Sequence, residues 1–176
     1  MKSIRFWWQP RQVFRELLPM AYAHKLAVAI TILFALVQVY PRAVHADNFI
    51  LSLVLAGIFG VAILYGYGLL LRNFGRWMGG HAPLSSIRTA IGLGLAPWTV
   101  IFALALMFQS SLQTAESMNW ILGGLFFGYI YGFVCLLLFI ADVLKLSYLR
   151  TLAVMVIAFM VVLFPSIAVL QLLLNP

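Results

Sequence analysis

Charge is what this 176-residue chain has least of: Asp, Glu, Lys and Arg make up 9% of it, and only four of those residues are acidic. An average soluble domain is about 25% charged and roughly 45 to 50% apolar, whereas 65% of this sequence is hydrophobic and its mean hydropathy is +1.08. A soluble globule of this length leaves much of its surface in water, and too few polar side chains exist here to cover it. Lipid is the solvent that the composition requires. Cysteine is nearly absent too. Cys135 is alone within an apolar run, which excludes an intrachain disulfide and a cysteine metal cluster and leaves it as a small apolar filler. Catalytic signatures are missing as well: there is no Walker loop, no HExxH, no nucleophile elbow and no spaced Cys and His set. Gly66-Tyr67-Gly68 is followed by leucines, not by the third glycine of a dinucleotide loop. The reading is of a non-enzyme with no catalytic residue, no cofactor and no metal. The formal net charge of +7 does not imply nucleic acid, because the eleven Lys and Arg form no dense stripe and several flank apolar runs.

What is abundant is long apolar sequence. A helix needs about 20 mainly apolar residues to cross the roughly 30 Å hydrocarbon layer, and five stretches qualify, at about 24–43, 49–71, 89–109, 120–141 and 149–173. The second has no charged residue. The third carries Gly92, Gly94 and Pro97, which a membrane helix tolerates, and it is expected to bend near Pro97. The first has a rival as a secretory signal, since an apolar core from Leu26 to Tyr40 precedes Val44-His45-Ala46. A long lead-in with its own apolar periodicity argues against that rival. The centres of all five stretches lack Asp, Glu, Lys, Arg and His, which leaves a proton-coupled pump or ion-selective transporter little to work with.

Basic residues in short loops stay on the cytoplasmic side, and their placement here alternates. Lys2, Arg5, Arg11, Arg15, Lys25, Arg72, Arg76, Arg88, Lys145 and Arg150 fall in the arm and the even loops; Arg42 alone falls in the odd ones. Ten against one predicts five spans with the N-terminus in the cytoplasm and the C-terminus opposite. His24 and His81 then lie inside and His45 outside, so the three cannot share a metal within a monomer.

The arm, residues 1–23, reads as a short helix opening near Pro10, a residue suited to a first helical turn. Val13, Phe14, Leu17 and Leu18 share one face, so the helix belongs in the headgroup layer, with Trp7 and Trp8 as indole anchors and Arg11 and Arg15 toward anionic lipid. The segment from Arg72 to Arg88 crowds Gly75, Gly79, Gly80 and Pro83 around Trp77 and His81. Its glycines permit tight turns, and Ser85 or Ser86 is expected to cap the third span, beside which an anionic headgroup could sit. Arg72, Arg76, Trp77, Gly79, Gly80, His81 and Arg88 form the candidate interaction loop; a compact reversal is the plainer alternative. Gly124, Gly128 and Gly132 make a small-residue stripe for close helix packing, within the chain or between copies. Asp142, at the edge of the fourth span near Lys145, is the one carboxylate singled out for a test; a cap or a partner for Lys145 is its simplest role.

Trp8-x-Pro10 with Phe14, Gly75-Arg76-x-x-Gly79-Gly80 with Ser85 and Arg88, Ala96-Pro97, and Lys145-Leu146-Ser147-Tyr148-Leu149-Arg150 follow one another in an order that resembles the bacterial branch of the Yip (Ypt-interacting protein) membrane-protein family. The resemblance covers nearly the whole chain. It implies a five-helix bundle, a cytoplasmic N-terminus and a role in membrane organisation or trafficking. Eukaryotic relatives associate with prenylated Rab-type GTPases through longer N-terminal regions; an arm of about 24 residues is too short for a folded domain, so no such partner is expected. The sequence is therefore read as an all-α, single-domain, five-transmembrane-helix bundle of residues 1–176 with a short N-terminal interfacial helix, in a bacterial cytoplasmic (inner) membrane. Its expected partners are membrane lipids, another membrane protein or a second copy, with no nucleic acid. The expected role is scaffolding or lipid organisation, and the alternative is a small permease or transport subunit for a neutral or lipid-like substrate.

Overall fold

The computed structural model describes residues 8–108 and 115–174, with the side chains of 115–121 and 165–174 excepted; Trp7 lies outside these residues. The described chain is all α-helical: α1 (Pro10–Leu17), α2 (Ala23–Ala43), α3 (Phe49–Trp77), α4 (Leu84–Gly94), α5 (Ala96–Met107), α6 (Ala115–Leu144) and α7 (Tyr148–Leu174). Four helical segments are long and apolar enough to cross a bilayer: Ala23–Ala43, Phe49–Trp77, Leu84–Met107 and Leu122–Leu144. The apolar α7 follows them, so this is a polytopic membrane protein with four to five long apolar helices. Ile50, Phe59, Ile63, Phe127 and Phe164 are exposed, which water would punish and lipid tails do not.

Leu95 joins α4 and α5 into one bent unit, because Pro97 has no N–H to donate to the turn before it. Capping departs from expectation. Pro83, in an extended conformation, occupies the N-cap of α4, and Ser85 and Ser86 lie inside the first turn. The Ser85 carbonyl there accepts a hydrogen bond from Thr89 Oγ1 at 2.9 Å. Thr31, Thr99 and Thr151 bond back to the carbonyl four residues earlier in the same way. This is how a buried hydroxyl is satisfied where no water is present.

The core is concentrated toward one end of the bundle, where Phe14, Leu64, Leu71, Ile87, Phe139, Ile140, Leu144 and Val154 pack together. Close approach there depends on glycine. A Cβ on Gly92 would strike the backbone carbonyl of Ala27, and one on Gly75 would come within 2.9 Å of Leu144 Cδ2. The first contact sets α2 against α4, and the second sets the end of α3 against the end of α6. Tyr67 ties α3 to α7 by donating to the Met155 carbonyl at 3.1 Å.

Candidate functional site

The packed end carries most of the basic residues that the structure describes, and two arrangements stand out on it. The first joins α1 to α6. Phe14 is fully buried and its ring stacks on Phe139 with centroids 4.3 Å apart and planes 9° from parallel. Beside the stack, Arg11 Nε donates to both oxygens of Asp142 at 2.8 Å, and its Nη2 also contacts Oδ1. Arg15 donates from Nε at 3.0 Å and from Nη2 at 3.1 Å, and Arg11 Nη1 reaches Tyr148 Oη at 2.9 Å. Arg11 and Arg15 are one turn apart, so their guanidinium groups converge on one carboxylate. The Asp142 side chain is only 7% exposed, against 41% and 60% for the arginines. Charge-assisted, forked pairing of this kind gives orientation as well as attraction. Hydrogen bonding to Asp142 raises the Arg11 pKa above its already high value, so the cation persists.

The sequence pointed Arg11 and Arg15 at lipid and Asp142 at Lys145. The structure pairs the three with one another, because α1 folds back over the end of α6 instead of lying apart from it. The available signal was a lone carboxylate at a span edge together with an Arg-x-x-x-Arg spacing flanking a buried Phe. Trp8 stands exposed just before α1, consistent with an indole placed toward lipid headgroups.

The second arrangement lies among α2, α3 and α4. The Arg88 guanidinium sits over the Tyr65 ring at 3.8 Å from its centroid, and the His24 ring meets the same tyrosine edge-on at 6.5 Å. Gly68 makes room for the stem of Arg88, whose Cγ would lie 3.1 Å from a Cβ there. Arg72 follows one turn later on the same face of α3. Arg72 Nε, Arg88 Nε and His24 Nδ1 are buried with no hydrogen-bond partner. A buried polar nitrogen left unsatisfied costs roughly 1–3 kcal/mol, so each of the three calls for an explanation.

The predicted loop therefore divides. Arg72 and Arg88 turn inward, half-buried, while Arg76, Trp77 and His81 are exposed, Trp77 at 81%. Gly80 is buried, and its N–H donates to the Gly75 carbonyl at 2.8 Å, closing the turn after α3. Gly79 adopts φ +90°, which only glycine takes without strain. The glycine stripe also divides. Gly132 lies under the Trp98 indole and Gly128 against Ile101, both on α5, whereas a Cβ on Gly124 would meet nothing within 4 Å. Trp98 Nε1 donates to the Tyr129 carbonyl at 2.9 Å, fixing the indole across the stripe. His24 and Tyr65 were not read from the sequence as parts of one site, because their proximity depends on the register of α2 against α3.

Among the described residues no group of three or more His, Cys, Asp or Glu is placed to hold a metal. Cavities open between helices among the described residues. One of about 580 Å³ runs between α2 and α3, lined by Ile32, Leu36, Leu53, Val54, Gly57 and Ile58; another of about 350 Å³ lies between α5 and α6 beside Trp98 and Phe126. Both are apolar grooves, suited to acyl chains or to another helix.

Compared with known proteins, residues 4–170 match the Yip1 domain. No curated protein and no solved structure matches. A match over nearly the full length, on a polytopic bundle of long apolar helices, has one meaning: this chain belongs to the Yip1 family, whose members are non-catalytic membrane proteins linked to membrane and trafficking roles.

Proposed function

We propose that this protein is a five-span scaffold of a bacterial cytoplasmic membrane, with its N-terminus in the cytoplasm and its C-terminus on the other side, which organises lipids and membrane-protein partners from its cytoplasmic face. The observation that carries the reading is the latched α1. Phe14 and the Arg11–Asp142–Arg15 cluster pin the arm over the end of α6, so the packed end becomes a preformed surface. That surface exposes Trp8, Trp77, Arg76 and His81, an amphipathic set suited to a headgroup layer or a basic-tolerant partner. It is also the end that carries nearly all the Lys and Arg, which supports its placement at the cytoplasm. The apolar character of both grooves favours a scaffold over a permease, since solute passage needs polar groups along a path.

Affinity purification from native membranes tests this, with quantitative mass spectrometry of co-isolated proteins and lipids. Reproducible membrane-protein partners lost with Arg76→Glu and Trp77→Ala are the expected result. A protein that isolates without partners, and whose reconstituted vesicles pass a specific solute, contradicts it.

A further inference from the structure

The unpartnered nitrogens of His24, Arg72 and Arg88 belong to three different helices, and helix register brings His24 and Arg88 to one level. Gly92 rests on Ala27, and α2 and α4 run in the same direction away from the packed end. Arg88 is one turn before Gly92 and His24 one turn before Ala27, so the two share a level. The antiparallel α3 brings Tyr65 to that level, in contact range of both, and Arg72 lies two turns further toward the packed end. The level is informative. Tyr65 is 16 residues from the Phe49 start of α3, about 24 Å along the axis at 1.5 Å per residue, so within a hydrocarbon layer of roughly 30 Å it lies just beneath the headgroups.

Among the described residues no carboxylate neutralises this cluster. Of the described carboxylates, Asp142 is taken by Arg11 and Arg15, Glu16 is exposed on α1, and Asp47 stands just before the far end of α3. Among the described residues no carboxylate lies within ion-pair reach of Arg72 or Arg88. Two guanidinium groups, one of them held over the Tyr65 ring, and an imidazole make a set rich in donors, just beneath the headgroups. Phosphate matches it in charge, in number of acceptor oxygens and in depth.

We propose that His24 and Arg88, with Tyr65 orienting Arg88, form a binding site for a phosphate group, entered from the headgroup layer past Arg72. This deepens the scaffold reading by naming a ligand class, and it rests on that reading only for the leaflet involved. Partner capture through Trp77 and Arg76 can fail while the phosphate site stands, and the reverse.

The test uses the full-length protein in a non-ionic maltoside detergent. Thermal stability and native mass spectra are recorded with added phosphatidylglycerol, diacylglycerol, inorganic phosphate or glycerol 3-phosphate. A lipid-borne phosphate predicts retained phosphatidylglycerol adducts and a raised Tm that the soluble phosphates do not reproduce. A soluble ligand predicts the same rise with glycerol 3-phosphate or inorganic phosphate and no preference for the lipid. Either result supports the site if Arg72→Gln with Arg88→Gln weakens binding about tenfold or more, while Arg76→Gln, on the exposed side of the same loop, leaves it unchanged. Equal response to diacylglycerol and phosphatidylglycerol with no effect of soluble phosphate overturns the proposal, and that comparison needs only the wild-type protein. Undiminished binding in a double variant that elutes as a single species also overturns it.

Discussion

At the residue scale, Asp142 decides where the arm goes. Its carboxylate takes hydrogen bonds from two arginines on α1, and nothing else on that helix is charged toward the bundle. Asp142→Ala is expected to weaken the attachment of α1 by about 1–2 kcal/mol, the lower part of the range for charged hydrogen bonds because both arginines are substantially exposed. Faster tryptic cleavage after Arg11 and Arg15 in inside-out vesicles would register that, with the remaining helices still protected. Phe14→Ala removes a fully buried ring and is expected to cost about 3–5 kcal/mol. The loss should also be local, read as amide exchange in α1 rising toward the unprotected rate while α6 changes little. The sequence displayed Phe14, Arg11, Arg15 and Asp142 but not their meeting. Composition and spacing place a residue on a helix face, and a contact across some 130 positions depends on how the chain folds back.

At the element scale, the helices themselves were largely visible in the sequence, and their packing was visible in part. Apolar runs of spanning length marked α2, α3 and α6, and Pro97 marked the break between α4 and α5. An apolar run marks the part of a helix that lies in lipid and not where the helix stops, and α3 runs on to Trp77 through Arg72 and Arg76, past the apolar stretch that ended at 71. Glycines divide by what faces them, a matter invisible from spacing alone. Gly92 touches backbone, so Gly92→Val should drive α2 from α4 and abolish a monodisperse species in size-exclusion chromatography. Gly66 faces open space, and Gly66→Ala is expected to raise stability by about 0.5–1 kcal/mol by restricting the unfolded chain, read as a higher Tm. The Gly124, Gly128, Gly132 stripe shows the same division, with two positions committed to Ile101 and Trp98 and the third open.

At the scale of the whole molecule, hydrophobicity and the placement of Lys and Arg carry the account together. Apolar length makes the helices lipid-soluble, and the proposed topology rests on ten of eleven basic residues falling in the arm and even loops, which would hold one end of the bundle at the cytoplasm. The same end holds the tight core, the latched arm and the unneutralised arginines, so fold and proposed function share a single face. The most direct measurement is cysteine accessibility in oriented vesicles, made in a Cys135→Ser background, with Ala46→Cys, His81→Cys and Ser147→Cys labelled in turn and an epitope tag at the C-terminus. The account predicts that a membrane-impermeant maleimide reaches positions 81 and 147 from the cytoplasmic side only, and that position 46 and the tag are reached from the opposite side only. Labelling of position 46 from the cytoplasm, or a tag on the same side as position 147, would contradict it.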